Sequence, residues 1–291
     1  MSRYFTNRLA KYAVFISASV SFIVLLAIAV FVFREGLPAF EEVGFFDFLF
    51  GTVWRPLAEP PQYGILVMVI GSLQVTLGAL VLAVPLGIAC AILLAEVAPR
   101  KVRQILRPAV ELLVGIPSVV YGLVGMVLLV PAIRNTFGGT GFSVLAASIV
   151  LTAMVLPTII SISEDSIRAV PAAYKEGALA LGATQWQTMW RVLLPAARSG
   201  IGASIVLGMG RAVGETMAMI MVIGNSIKFA ETPLDPTRTL TGNIAVEINY
   251  AGGVHRNALF ATGIILFLFI LIINSIAVVS LKRGARAQTF T

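Results

Sequence analysis

Two ionisable residues stand where an apolar chain rarely places them. Arg211 and Glu215 lie within Gly208-Met209-Gly210-Arg211-Ala212-Val213-Gly214-Glu215-Thr216, inside an apolar run from about Ile201 to Ile223. At about 1.5 Å per helical residue, Arg211 is roughly 15 Å past Ile201, too deep for its side chain to reach water easily. An arginine at such a depth in a bilayer costs about 2.5–3.5 kcal/mol on insertion scales. Glu215 follows at i+4 on the same helix face, so the two side chains are expected to pair. Pairing accounts for how the charges are tolerated, but not for their presence, because two apolar residues would be cheaper to bury. The pair either locks helices together or lines and gates a solute route. Arginine's planar fork suits the oxygens of a phosphate-like anion. Gly210-x-x-x-Gly214 matches the small-xxx-small spacing for close helix approach, and packing within the chain is the favoured reading over a dimer seam.

Other chemistry is sparse. The single cysteine, Cys90, has no partner for a disulfide or a metal site and is expected to be a small packed hydrophobe. The single histidine, His255, falls in a polar loop and suggests neither metal binding nor a proton relay. The chain has no H-e-x-x-H motif in any form, no nucleophile elbow and no G-x-x-x-x-G-K-[S/T] loop, and indeed no Gly-Lys pair. An enzyme is not expected, and any nucleotide hydrolysis must be done by another subunit.

The elements that position these residues are membrane helices. The chain is 58% hydrophobic and 12% charged, with a mean hydropathy of +0.94. A soluble chain carries about 25% charged residues. The net charge of +7 does not indicate nucleic acid, because the cations are spread over loops. Spans of about 20 apolar residues are expected at about 12–33, 64–95, 112–130, 142–163, 201–223 and 258–281. The first continues past a small-x-small triplet, Ala27-Ile28-Ala29, and is read as a retained helix rather than a cleaved signal. Pro85, Pro117 and Pro157 are expected to interrupt their spans, as packing kinks or as hinges.

Six spans put both ends on one side. That side carries Arg3, Arg8, Lys11, Arg100, Lys101, Arg103, Arg107, Arg168, Lys175, Arg191, Arg198, Lys282, Arg283 and Arg286. The other carries Arg34, Arg55, Arg134, Lys228, Arg238 and Arg256. The imbalance predicts that both termini are cytoplasmic. The outer loop 34–63 clusters Phe45, Phe46, Phe48 and Trp54, as in a segment lying at the interface. The last outer loop, 224–257, is polar and expected to face an external partner.

The loop 164–200 is too long for a turn. Pro171 suits a first helical position, Gly182 a helix end, and Thr184 with Gln187 a capping box. Trp186, Met189, Trp190, Leu193 and Leu194 then form one apolar stripe, which Pro195 ends or bends. A helical hairpin of this kind either docks a partner or packs on the chain's own helix ends.

Glu176-Gly177-Ala178-x-x-x-Gly182, nine residues, and then Val192-x-Leu194-Pro195 resemble the EAA loop of ABC importer permeases. Gly177 departs from the usual alanine and Val192 from isoleucine. In that family this loop holds the coupling helix that seats in the ATPase. Gly115-Ile116-Pro117-Ser118-Val119-Val120-Tyr121-Gly122 and the stretch from Gly210 to Thr216 resemble the phosphate-specific permeases of this family. The PstC type is favoured over the paralogous PstA type by Met217-Ala218-Met219, by Arg34 to Phe40 and by Arg238-Thr239-Leu240-Thr241.

The resemblance implies an all-α, six-helix, type I ABC importer permease (MetI-like) fold. It implies a first helix and loop over 1–63, a permease core over 64–281 and a basic tail over 282–291. It marks Glu176, Gly177, Ala178, Gly182, Val192, Leu194 and Pro195 as ATPase-coupling residues, and Arg211, Glu215 and Thr216 as pathway residues. The implied partners are a PstA-like permease, two ATPase subunits that bind the ATP and magnesium, an external phosphate-binding protein, phosphate and the lipid membrane. No cofactor and no nucleic acid belong to this chain. Two rivals stay open: an importer permease for sulfate, molybdate or an organophosphate, and an ion-coupled transporter using Arg211 and Glu215 as a relay.

Overall fold

The computed structural model describes residues 2–286. Met1 and residues 287–291 of the expected tail lie outside the described residues, as do the side chains of Arg3, Lys282, Arg283 and Arg286. Six helices among the described residues are long and apolar enough to cross a membrane: Ala10–Val43, Leu66–Val97, Ser118–Phe137, Val144–Arg168, Gln185–Gly214 and Gly253–Ile276.

The first helix, α1 (Ser2–Val43), runs ten residues past its expected end and through Pro38. It touches the rest of the chain along its C-terminal half. Phe31 and Phe33 meet Phe260 and Phe267 edge to face, and a side chain on Gly36 would fall 2.8 Å from the Ala261 backbone nitrogen. A short helix α2 (Phe45–Phe50) and a hairpin, β1 (Trp54–Arg55) with β2 (Gln62–Tyr63), follow it. The aromatic cluster is divided: Phe46 and Phe50 are exposed, whereas Phe48 and Trp54 are buried in an outer core.

The main core lies between α3 (Leu66–Ile92), α7 (Val144–Arg168) and α10 (Leu194–Gly214). On α3 the buried positions recur at helical spacing: Met68, Ser72, Val75, Ala79 and Ala83. Close approach depends on glycine. A Cβ on Gly208 would meet Val155 Cγ1 at 2.8 Å, and one on Gly122 would meet the Cα of Ala218 at the same distance.

Three widened π turns punctuate the spans, at Leu93–Val97, Gly125–Leu129 and Met189–Leu193. Each is followed two residues later by a proline: Pro99, Pro131 and Pro195. Proline lacks an N–H and crowds the carbonyl four residues back; at Pro131 and Pro195 a wider turn carries the helix past that gap, whereas before Pro99 the helix ends at Val97. Hence Pro195 neither ends nor interrupts its helix. The fifth span starts in the loop at Gln185 and not near Ile201.

Other boundaries also move. Residues 112–114 do not open the third span. They end an amphipathic helix, α4 (Arg100–Val114), and the span starts at Ser118 with α5 (Ser118–Val124). Gly115-Ile116-Pro117 forms the joint, so Pro117 precedes the span and caps its start. Pro85 and Pro157 sit inside continuous helices. Cys90 is exposed at the surface of α3 and is not packed.

The loop 224–257 is more buried than its polar composition suggests. Its helix α12 (Leu240–Glu247) buries Leu240, Thr241, Gly242, Asn243 and Glu247. Glu247 accepts hydrogen bonds from Trp54 Nε1 at 2.8 Å and Arg238 at 2.6 Å, and lies 2.9 Å from His255 Nε2. His255, 6% exposed, is therefore a core residue at the start of α13 (Gly253–Arg286) and not a loop residue. Burial first, then Glu42 for Tyr63 and Glu247 for Tyr250, raises both phenols above their usual range, so both stay neutral around this cluster.

Breaking a buried ion pair from one side leaves an uncompensated charge. Glu247→Ala is expected to destabilise the detergent-purified chain by about 3–5 kcal/mol, read as a lowered thermal midpoint. Gly122→Ala is expected to cost about 1–3 kcal/mol through overpacking, whereas Gly210→Ala, which meets no atom within 4 Å, is not expected to lower the midpoint.

Candidate functional site

The loop 164–200 folds as the expected elbow. Helix α8 (Ala172–Ala180) starts at Pro171, which is its cap and not its first helical residue. The end of α8 is closed by a Schellman pair: Gly182 N donates to Leu179 O at 3.0 Å and Ala183 N to Ala178 O at 3.1 Å. Gly182 supplies the required left-handed backbone, with φ +84°. A second helix, α9 (Gln185–Thr188), opens with the capping box: Thr184 Oγ1 accepts from Gln187 N, and Gln187 Oε1 accepts from Thr184 N.

The apolar stripe serves two surfaces. Met189 is buried in a cluster with Ala91, Ala95, Ile167 and Ile201, and Leu193 is buried as well. Trp186 and Trp190 pack edge to face on each other and stay 64% and 50% exposed. None of α8 is buried. Glu176, Gly177 and Gly182 are exposed; Ala178, Val192, Leu194 and Pro195 are half-buried. Lys175 pairs with Glu96 and ties α8 to the end of the second span. Buried Glu164 lies 2.9 Å from Arg168 on its own helix and 3.8 Å from Arg107, which joins the end of α7 to α4. The elbow is thus held at its root, with its outer faces open.

The expected Arg211–Glu215 pair does not form, because the helix stops between them. After Gly214 the backbone of Glu215 is extended (φ −70°, ψ 128°), and a short helix α11 (Met217–Val222) restarts beyond Thr216. Glu215 no longer lies one turn above Arg211. Its Oε1 instead accepts from Ala218 N at 3.1 Å, capping α11. Thr216 Oγ1 donates to Gly214 O at 3.2 Å, and Thr241 Oγ1 donates to Glu215 O at 3.1 Å. Ser72, Thr76 and Thr239 line the small cavity beside this break.

Arg211 makes one hydrogen bond, from its NH1 to Thr158 Oγ1 at 3.3 Å. Thr158 is ten residues from the end of α7 at Arg168, about 15 Å along a helix of 25 residues. Arg211 therefore does sit near mid-span. It is half-buried beside Gly210 and Gly214, and neither glycine has any atom of the chain within 4 Å of a would-be Cβ. The small-xxx-small face thus does not pack within this chain, contrary to the favoured reading. To the expected Arg211, Glu215 and Thr216 the structure adds Thr158 and, around Glu215, Ser72, Thr76, Thr239 and Thr241. Nothing in their sequence spacing marked them, because they come from separate helices. No group of three or more His, Cys, Asp or Glu suited to a metal occurs among the described residues.

A bundle of six crossing helices, one of which begins in an exposed elbow and breaks just past an arginine, defines a polytopic membrane transport component. The chain belongs to the family of binding-protein-dependent transport system inner membrane components, whose model matches residues 83–285. It is 45% identical over 258 residues to the probable ABC transporter permease protein YqgH of Bacillus subtilis, covering 86% of this chain and 84% of that protein. It is 35% identical to the phosphate transport system permease protein PstC of Pasteurella multocida, covering 88% and 85%. The probable PstC of Methanocaldococcus jannaschii is 32% identical, covering 91% and 90%.

Among solved structures, a bacterial alginate ABC transporter chain superposes with a TM-score of 0.66 over 91% of each chain at 18% identity. A chain of the MetNI methionine ABC transporter superposes with a TM-score of 0.53, covering 75% of this chain and 94% of that one, at 22% identity. The fold is that of the type I ABC importer permeases, and the chain is a multi-pass membrane permease.

If Glu215 acts as a cap, the acceptor atom matters more than its charge. Glu215→Ala is expected to lower stability by about 1 kcal/mol, and Glu215→Gln by less, as read by thermal unfolding of the purified chain.

Proposed function

We propose that this chain is the PstC-type permease subunit of an ATP-driven phosphate importer. What supports phosphate over other anions is the run of 32–36% identical relatives named as phosphate permeases along nearly the whole chain. A half-buried arginine with one neutral partner suits a phosphate oxygen without an internal carboxylate competing for it. The partners are a PstA-like permease, two ATPase subunits and an external phosphate-binding protein. ATP and magnesium belong to the ATPases, and this chain needs no cofactor. Both termini and the elbow lie on the cytoplasmic side, as the lysine and arginine bias requires.

The elbow and the arginine are on one helix. Gln185–Gly214 is continuous, so Arg211 rides roughly 40 Å along the element that begins at the elbow. Closure of the ATPases on the exposed faces of Glu176, Gly177 and Ala178 moves α8 and α9, and that helix carries the displacement to the break at Glu215. Arg211 takes the anion transiently, and Thr158 holds its guanidinium meanwhile.

In proteoliposomes of the whole importer, Gly182→Val is expected to strain the elbow by about 1–2 kcal/mol. It should leave ATP hydrolysis running while phosphate uptake falls; Glu176→Lys should do the same, and Gly177→Ala should change little. Full uptake in the first two refutes the coupling role. Arg211→Gln is expected to abolish phosphate uptake in an assembled complex, and normal uptake there refutes anion contact. Sulfate, molybdate or an organophosphate competing better than phosphate would reassign the substrate. Uptake without ATPase subunits would establish the ion-coupled alternative.

A further inference from the structure

We infer that α4 (Arg100–Val114) is an interfacial helix that binds anionic phospholipid of the leaflet on the termini side. The helix is amphipathic, and no residue of it is buried by the chain. Its polar face is turned inward. Arg103 donates to Leu94 O at 2.8 Å and Ala95 O at 3.1 Å, the last carbonyls of the second span. Arg107 donates to Asp165 at 3.2 Å at the end of the fourth span. These anchors hold α4 across the helix ends, where a bilayer surface must lie. They also fix its rotation, so the opposite face points away from the protein.

That opposite face is apolar. Ile105 and Leu112 are 71% and 74% exposed, and Val102 and Leu113 flank them. At about 100° per residue these four share one side of the helix. The apolar surface continues past the joint at Gly115-Ile116-Pro117 onto exposed Val119 and Val120 of the third span. A basic amphipathic helix in this position lays its apolar face into the boundary between headgroups and acyl chains. Two cations are left for the headgroups. Arg100 and Lys101 are exposed, and their side chains make no hydrogen bond or ion pair with any described residue. Their charge favours an anionic phosphodiester over a zwitterionic lipid, and over the apolar surface of another membrane subunit.

The test uses the assembled importer in vesicles of phosphatidylethanolamine and phosphatidylglycerol. Single cysteines at Ile105, Leu112 and Gln104, in a Cys90→Ser background, carry a bimane label, and brominated acyl chains serve as quenchers. Strong quenching at Ile105 and Leu112 with little at Gln104 is the expected result. Equal quenching at all three sites, or protection of Ile105 and Leu112 with crosslinking to the second permease, would overturn the inference. Native mass spectrometry of the unlabelled complex gives an independent reading. Arg100→Gln with Lys101→Gln is expected to reduce retained phosphatidylglycerol relative to phosphatidylethanolamine by about fivefold per cation removed. An unchanged ratio would refute the headgroup role.

Discussion

A bilayer core offers no water to a backbone that leaves its helix, so each interruption must be closed by side chains or by another segment. That constraint governs the fifth span. Between Gly214 and Met217 the helix opens, and three side chains repair it: Glu215 takes the amide of Ala218, while Thr216 and Thr241 take two carbonyls. The outer loop is drawn into the core by the same need. Thr241 lies on α12, which is placed by the donation of Leu240 N to Ser72 Oγ at 2.9 Å. It is fixed from above by Arg238, Trp54 and His255 converging on Glu247. A loop of polar composition thereby becomes part of the wall beside the break.

What could be read from the chain followed from local rules. Turn and cap chemistry acts within a few residues, so Gly182, Thr184 and Gln187 located the elbow correctly. Apolar run length found all six spans, but not their ends. The fifth was placed late because Pro195 reads as a stop; a π turn, whose Met189 sits in the core with Ala91 and Ile201, lets the helix continue. The third was placed early because the apolar side of α4 mimics a span in sequence, although its polar side is occupied by the ends of the second and fourth spans.

The charged stretch shows the harder limit. Spacing put Arg211 and Glu215 one turn apart, and the inference to a pair required an unbroken helix. No proline announces the break. It is stabilised by Thr241, contributed from 26 residues further along the chain, and so lies beyond any local pattern. The same applies to His255, whose loop-like neighbourhood gives no hint of Glu247, Trp54, Tyr63 and Tyr250 closing around it. The glycines divide in like manner. Gly122 and Gly208 are needed by partners within the chain, whereas Gly210 and Gly214 meet nothing in it.

That last contrast bears on how such a chain could carry an ion. Separating Glu215 from Arg211 leaves the guanidinium with a neutral partner, so its positive charge is not cancelled at the depth where an anion most needs it. The bare face of Gly210 and Gly214 beside it gives the charge an open flank. In the proposed importer a single subunit with an open flank would be half a route, and lipid against a half-exposed arginine would be costly. The proposed paralogous permease supplies the missing wall. Closing the flank then needs two glycines without side chains to obstruct it, and moving Arg211 within the closed route needs only the helix that already begins at the elbow.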